Sequence, residues 1–449
     1  MIATLAAAIA ALSIAVLPNP VLTAARKTAD QDFQLPVERF VLPNGLVVLL
    51  SADPGLSSVV VEMSFRAGTI YEPPGRRGLA HLVEHVLMRG TGPDTAYIKM
   101  LEARGARDVS ATTTFGELTY RTTVPPEELP LAIWVNADRI GHLPSTIAAE
   151  ALERHKKVVL QERAERAVDA HYGLVDLALY KTLFPEPHPL SAAVIGTPDD
   201  LNQVTVADVQ GFAQRYLVPA NAVLVIAGSF DPAVARRLVE QAFAGMAGGS
   251  RAKAPEVPKA EAAEISVTAK ERISRRPRVT MAWRLKPMLH ESVDRLALGA
   301  LLLSLYTDGA FGTNVDAELS NHASELLFRL DVTLPHLKPA DSARGEAEVF
   351  LRYLTLVQMP QDLLDATNLA EDRLSLFQLD SLPTRAALLS SMERSGSDPT
   401  QVASVLAAHW TYDSTSIQET ARRFLGKHRT TLLAEPTNPR RPKIDREFR

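Results

Sequence analysis

The chain has 449 residues, too many for one comfortable hydrophobic core, so two or three domains are expected. Its 46% hydrophobic and 22% charged residues are ordinary for a globular protein, and a net charge of -4 gives no reason to expect a nucleic-acid or anionic-membrane partner. Cysteine is absent, which excludes disulfides, thiolate nucleophiles and Cys-bound metal.

The first segment, "MIATLAAAIAALSIAVLPNPVLTAA", is apolar and Ala-rich, then turn-like at Pro18 to Pro20, then small. It is too short and too small-sided for a membrane span, and residues 1–25 read as a secretory signal peptide. No Lys or Arg precedes the apolar run, which leaves a frayed N-terminal helix as the alternative. Export places the protein in the periplasm or outside the cell; without a signal peptide it would be cytoplasmic. No later segment approaches a membrane span, so no stable anchor is expected after processing. From Phe40 to Phe65 the pattern is strand, turn, strand: "FVLPNGLVVLL" carries the hairpin signal Asn44-Gly45, and "SSVVVEMSF" is a β-branched run. A Gly- and Pro-rich loop, "RAGTIYEPPGRRG", leads into a helix that begins "LAHLVEHVLM". A Thr-rich, strand-like stretch follows, "TTTFGELTYRTTVP". One long helical stretch is expected from about Ile147 to Leu183, and "NAVLVIAGSF" reads as a buried strand.

Residues 244–264, rich in Gly, Pro, Ala, Lys and Glu with no apolar period, read as a linker. They divide the chain into halves 35–243 and 265–449, and the halves resemble each other weakly. A shift of 218 places Met63 over Met281, Arg66 over Arg284, Arg77 over Arg295 and Leu87 over Leu305. A shift of 208 places Arg215, Tyr216 and Leu217 over Arg423, Phe424 and Leu425. Strand, loop and helix recur in the same order, so duplication is expected. The second half puts Gly299, Leu302 and Leu303 where the first has His81, Glu84 and His85. The fold therefore does not need those three polar residues.

His81 and His85 lie one helical turn apart on one face, so their imidazoles can converge on one ion. Glu84 is offset enough to reach a metal-bound water rather than the metal. Zinc suits imidazole and carboxylate donors with one position left for water, whose proton the glutamate would take. A hydrogen-bonded buried patch is the competing reading, and two ligands are too few for a site.

In this setting the sequence resembles the pitrilysin and mitochondrial processing peptidase family, in its small two-domain bacterial branch, whose inverted zinc motif is His-x-x-Glu-His. The resemblance rests on "LPNGLVVLL", "FRAGTIYEPPGRRGLAHLVEHVLMRGT", "TYRTTVP", "VVLQERAER", "HPLSAAVIGTPDDL" and "YLVPANAVLVIAGSFDP", in the family's order. It covers Phe40 to Pro232 well and thins afterwards. It implies a third ligand from a glutamate about 76 residues past the second histidine, and Glu162 has 76 residues between it and His85. It implies a zinc endopeptidase acting on oligopeptides or unfolded segments, with His81, His85 and Glu162 on the metal and Glu84 as general base. The implied fold is α+β: two related halves, each a mainly antiparallel sheet with packed helices, forming a clam-like chamber. His155 stands two turns before Glu162, where the family usually has a second glutamate supporting the site. Ser110, in "VSATTTF", stands where the family commonly has asparagine, and with Ala111 and Thr112 it belongs to an edge strand on which a substrate peptide would pair. Glu165 reads as a solvated helix face. His142, His171 and His188 have no partners at ligand spacing and read as surface or loop residues.

Members that act as single chains carry an arginine and a tyrosine in the second half that grip the substrate. Here the corresponding region, "DGAFGTNVDAELSNHASELLFRLDVTLP", has Arg329 without a tyrosine after it, and Tyr306 comes too early. The resemblance therefore implies the zinc-bearing subunit of a heterodimer whose zinc-less partner supplies the arginine and tyrosine; the alternative is a diverged second half in an enzyme that works alone with a weaker hold on its substrate. The rival reading is a non-catalytic peptide-binding or scaffold subunit of the same family.

Overall fold

The computed structural model describes residues 35–89, 96–253, 255, 265–288, 292–307, 314–322, 325–334, 340–407, 412–426 and 428–437. The expected signal peptide, 1–25, and most of the second part of the expected linker lie outside these residues. In the first half the strands are β1 (Glu38–Val41), β2 (Val47–Ala52), β3 (Val59–Phe65), β4 (Arg107–Thr113), β5 (Leu118–Val124) and β6 (Ala222–Gly228). Its helices are α1 (Leu79–Arg89), α2 (Ala96–Glu102), α3 (Leu129–Gly141), α4 (Ala149–Arg163), α5 (Gly173–Leu183), α6 (Pro198–Gln203), α7 (Val206–Tyr216) and α8 (Pro232–Phe243). The second half has strands β7 (Ile265–Glu271), β8 (Arg278–Leu285), β9 (Asn314–His322), β10 (Glu325–Thr333) and β11 (Arg429–Pro436). Its helices are α9 (Val293–Thr307), α10 (Ala340–Leu356), α11 (Gln361–Asp380), α12 (Leu382–Ser395), α13 (Val402–Ala407) and α14 (Ser414–Leu425).

The hairpin at Asn44-Gly45 forms as the sequence indicates, with Gly45 at φ 89° and Val41 paired with Val47. A Cβ at Gly45 would meet Ala220 at 2.9 Å, so both the conformation and the space call for glycine. The first sheet runs β1-β2-β6-β3-β5-β4 and the second β7-β11-β8-β10-β9. In each, one pair is parallel (β2 with β6, β7 with β11) and the other pairs are antiparallel. Overlaying the two orders makes β7 the counterpart of β2, β11 of β6, β8 of β3, β10 of β5 and β9 of β4. The helix after β8 is then the counterpart of α1, as the shift of 218 indicates, and duplication is visible in the topology.

Strand residues alternate between two sheet faces. In the first sheet Val48, Leu50, Val61, Met63, Leu224 and Ile226 point to a core shared with α1, α3, α7 and α8. The alternate residues Leu49, Val60, Val223, Val225 and Ala227 point the other way and are covered by Leu382, Ala386, Leu389 and Met392 of α12, from the second half. The second sheet is treated reciprocally. Its Ala282, Leu327, Leu432 and Ala434 are covered by Val175, Leu179 and Leu183 of α5, from the first half. Each half thus lends a helix to the other, and α5 and α12 occupy matching places in the duplicated order.

The helical stretch expected as one piece from Ile147 to Leu183 is two helices. After α4 the chain makes a π-helical turn at Ala164–Val168, and Tyr172 sits at φ 60° before α5 begins. The break redirects the chain so that α5 leaves the first half and reaches the second sheet.

The exchanged α12 covers one buried acid. Glu62 on β3 is 2% exposed, with Arg121 at 3.7 Å and Arg394, Glu117 and Ser390 also facing it. Burial outweighs those arginines and pushes its carboxyl up from 4.5 to about 7. A raised folded-state value means that stability is fully present below the unfolded value and is lost as pH rises through about 7. Glu62→Gln is expected to stabilise the chain at pH 8 relative to pH 5, measured as the difference in denaturation midpoint between variant and parent. An equal difference at both pH values would contradict this.

Candidate metal centre

The helix α1 packs Leu79, Leu82, Val83, Val86 and Leu87 into the first core. The apolar positions recur at helical spacing, which turns His81, Glu84, His85 and Met88 toward the opposite side, where a cleft of about 890 Å³ opens. Both ends of the helix are held by buried polar side chains, and burial pushes the Glu72 carboxyl up to about 8. At the start, Glu72 accepts from Gly78 N at 3.1 Å and Ala80 N at 2.9 Å. At the end, the Arg139 guanidinium donates to Leu87 O at 3.2 Å. The Glu72 carboxyl thus satisfies N–H groups that a helix start leaves unpaired, and the Arg139 cation at the C-terminus matches the helix dipole.

Three donor atoms converge. His81 Nε2 and His85 Nε2 are 3.2 Å apart, and Glu162 Oε2, brought in by α4, lies 3.8 Å from the first and 3.2 Å from the second. A tetrahedral zinc with bonds of about 2.0–2.1 Å separates its ligand atoms by roughly 3.3 Å, so this donor set fits zinc. Burial, with the Arg166 charge adding to it, lowers the His81 imidazole to about 4 and keeps it neutral, the form that binds metal. Glu84 also comes within 4.8 Å of both histidines. Its Oε2 accepts from Thr113 Oγ1 at 2.7 Å, however, which orients the carboxyl beside the donor triangle rather than in it. Burial raises the Glu84 carboxyl to about 7.

Glu162 Oε1 is taken by Arg166 Nη1 at 2.7 Å, so Oε2 alone faces the histidines. Glu165 is exposed and accepts from Gln161 at 2.5 Å. His155 is buried on α4 and does not line the cleft. Ser110, Ala111 and Thr112 do line it, on β4, the outermost strand of the first sheet. The pairing sets Ser110 opposite Arg121 and Ala111 opposite Tyr120, so the Ser110 side chain shares the sheet face of Arg121, away from α1. Of the remaining histidines, His142 and His171 are exposed, but His188 is not the surface residue expected. It is 1% exposed, accepts from Leu190 N at 3.1 Å through Nδ1, and packs on Phe184, because Arg77 binds the carbonyls of His188 and Pro189 and folds the loop inward. Arg329 is half-buried on β10 and bound to Asp176 at 2.6 Å and Asp331 at 2.8 Å, so it joins α5 to the second sheet. Thr113, Arg166, Glu72 and Arg139 escaped the sequence reading, and only the threonine run around Thr113 hinted at any of them.

Residues 47–197 match the family model described as Insulinase (Peptidase family M16), and residues 203–317 match the model described as Peptidase M16 inactive domain. The chain belongs to peptidase family M16. An uncharacterized zinc protease of Mycobacterium tuberculosis is 31% identical over 233 residues, 51% of this chain and 52% of that protein. The mitochondrial-processing peptidase subunit beta of Blastocladiella emersonii is 25% identical over 210 residues, 46% of this chain and 44% of that protein. The match thus spans about half the length of these curated relatives. A crystal structure of a protease from Helicobacter pylori has the same fold, at a TM-score of 0.80 and 18% identity, covering 90% of this chain and 100% of that one. Of the two matched segments, the first, 47–197, contains the candidate metal site at His81, Glu84 and His85.

Glu162→Gln replaces the one donor oxygen that α4 supplies. About one zinc per chain is expected in the parent and a loss of affinity of at least about 100-fold in this variant, read by metal analysis and chelator competition. Parent-like zinc in the variant would remove Glu162 from the ligand set.

Proposed function

We propose that this chain is a zinc endopeptidase that cleaves oligopeptides or unfolded segments. The observation that carries the reading is the convergence of His81 Nε2, His85 Nε2 and Glu162 Oε2 at zinc-ligand spacing. Glu84 lies beside them, on a cleft bordered by an outermost strand. Zinc is the cofactor, held by His81, His85 and Glu162. When bound, it supplies Lewis acidity toward water and the scissile carbonyl. Glu84 takes the proton from the attacking water on the carboxylate oxygen not occupied by Thr113, and returns it to the leaving amine. The β4 edge offers backbone N–H and C=O groups from Val109 to Thr113 to an extended peptide, which holds the scissile bond along the cleft.

Glu84→Gln keeps the shape and the Thr113 neighbour but cannot accept the proton. Zinc content should stay at the parent level while kcat falls by about 10²–10⁴-fold. Retained turnover in a zinc-loaded Glu84→Gln chain would refute the base assignment, and no turnover in the zinc-loaded parent with any partner would favour the scaffold reading.

The finer reading is that of the zinc-bearing subunit of a heterodimer. The residues lining the cleft among those described all come from the first half, from His81 to Ile195. Arg329 is spent on Asp176 and Asp331. The wall facing the zinc, with an arginine and a tyrosine to grip the peptide, is then supplied by a related zinc-less chain. Adding that chain should raise kcat/KM by about tenfold or more; full, saturable activity of the pure chain, unchanged by any related partner, would rule this out. Export to the periplasm or beyond completes the reading, and the N-terminal sequence of the mature chain checks it.

A further inference from the structure

The segment that delivers Glu162 is fastened at both ends, and the later fastening belongs to the second half. On the near side, Arg163 Nε donates to Gly196 O at 3.1 Å. Gly196 lies against Arg77 and Gly78 at the entry to α1, where a Cβ on it would meet Arg77 O at 2.3 Å. On the far side, the π-helical turn closes with Asp169 N donating to Ala164 O at 2.8 Å. Gly173 then packs on that turn so closely that a Cβ would meet Ala167 O at 2.1 Å. Between turn and helix stands Tyr172, buried and at φ 60°, a backbone state a tyrosine holds only where its surroundings impose it.

Those surroundings come from the second half. Glu271, 2% exposed at the end of β7, accepts from Tyr172 N at 3.0 Å through one oxygen. Its other oxygen accepts from Ile273 N at 2.6 Å and Ser274 N at 2.5 Å. The Tyr172 hydroxyl donates to Arg276 O at 2.8 Å and accepts from Ser274 Oγ at 2.8 Å, while the Arg278 guanidinium stacks 4.1 Å above the ring. One tyrosine thus meets four residues of the connection from β7 to β8, Glu271, Ser274, Arg276 and Arg278.

We infer that the Glu271–Tyr172 clamp is a positioning device for the third zinc ligand, through which the half without a zinc motif controls metal affinity. The π-helical turn joins clamp to ligand: it is short, closed by its own hydrogen bond and packed on Gly173, so a shift at Tyr172 passes to Glu162. π-Helical turns are found disproportionately at functional sites. Partners that orient a ligand without touching the metal typically change metal affinity by about 10–100-fold when removed.

The inference rests on the zinc reading above, and one experiment separates the two. Zn2+ affinity of the full chain is measured by chelator competition for the parent, Glu271→Gln and Tyr172→Phe. Amide hydrogen exchange of the zinc-free proteins is followed in parallel. Glu271→Gln should weaken Zn2+ binding about tenfold and speed exchange over 162–173, with exchange over 79–89 unchanged. Tyr172→Phe, which keeps the ring and loses the two hydroxyl bonds, should lose less in the same direction, and it decides the matter alone if Glu271→Gln does not fold. Parent-like Zn2+ affinity in the folded variants overturns the clamp and leaves the zinc reading standing. Weaker binding with equally faster exchange over 79–89 also overturns it, since that marks general loosening. A parent that binds no Zn2+ removes the zinc reading and the clamp with it.

Discussion

Everything in this molecule follows from the need to bury both faces of two sheets. The inner strands β3 and β6 of the first sheet are buried at every position, and such strands are stable only if helices lie on each face. One face is covered by helices of the same half. The other is covered by a helix lent across the chain, α12 to the first sheet and α5 to the second. Neither half can be closed without the other, so they form one unit despite descending from a repeat. The loan has a cost in backbone geometry: α5 can leave its own half only through the π-helical turn and the left-handed Tyr172.

That geometry is also what shapes the metal centre. Glu162 is the penultimate residue of α4, just before the redirected turn, and Arg166 within that turn binds one oxygen of the Glu162 carboxylate. On the other side of the centre, α1 is anchored by its apolar face and by Glu72 and Arg139 at its ends. The two histidines are thereby held by a helix fixed along its whole length, and the glutamate by a segment fixed before and after it. Preorganisation of this kind keeps three donor atoms together with little loss of entropy when the ion arrives.

Much of this was legible in the residues. The hairpin at Asn44-Gly45, the buried strand at 222–228 and the helix bearing His81, Glu84 and His85 are local patterns of turn chemistry and periodicity, and they appear where the sequence puts them. The repeat was legible because strand, loop and helix recur in order. The break between α4 and α5 was not, since Ala, Val, Asp and His at 167–171 carry no Gly or Pro to announce it, and the left-handed residue is a tyrosine held there by the other half. His188 misled for a related reason: a histidine between prolines looks like surface until Arg77, far away in sequence, pulls its loop inward.

By itself, the sequence determined which side chains could hold zinc, because two histidines one turn apart on an apolar helix meet on one face through the helical period alone. It also determined that the second half carries Gly299, Leu302 and Leu303 in their place. Only the tertiary structure decided that Glu162 Oε2 lies beside both histidines, that Thr113 donates to Glu84, and that Glu271 of the second half binds Tyr172, past the turn that follows Glu162. Those contacts join residues separated by tens to hundreds of positions. Their distances are set by how two sheets share their covering helices, a constraint that no local pattern encodes.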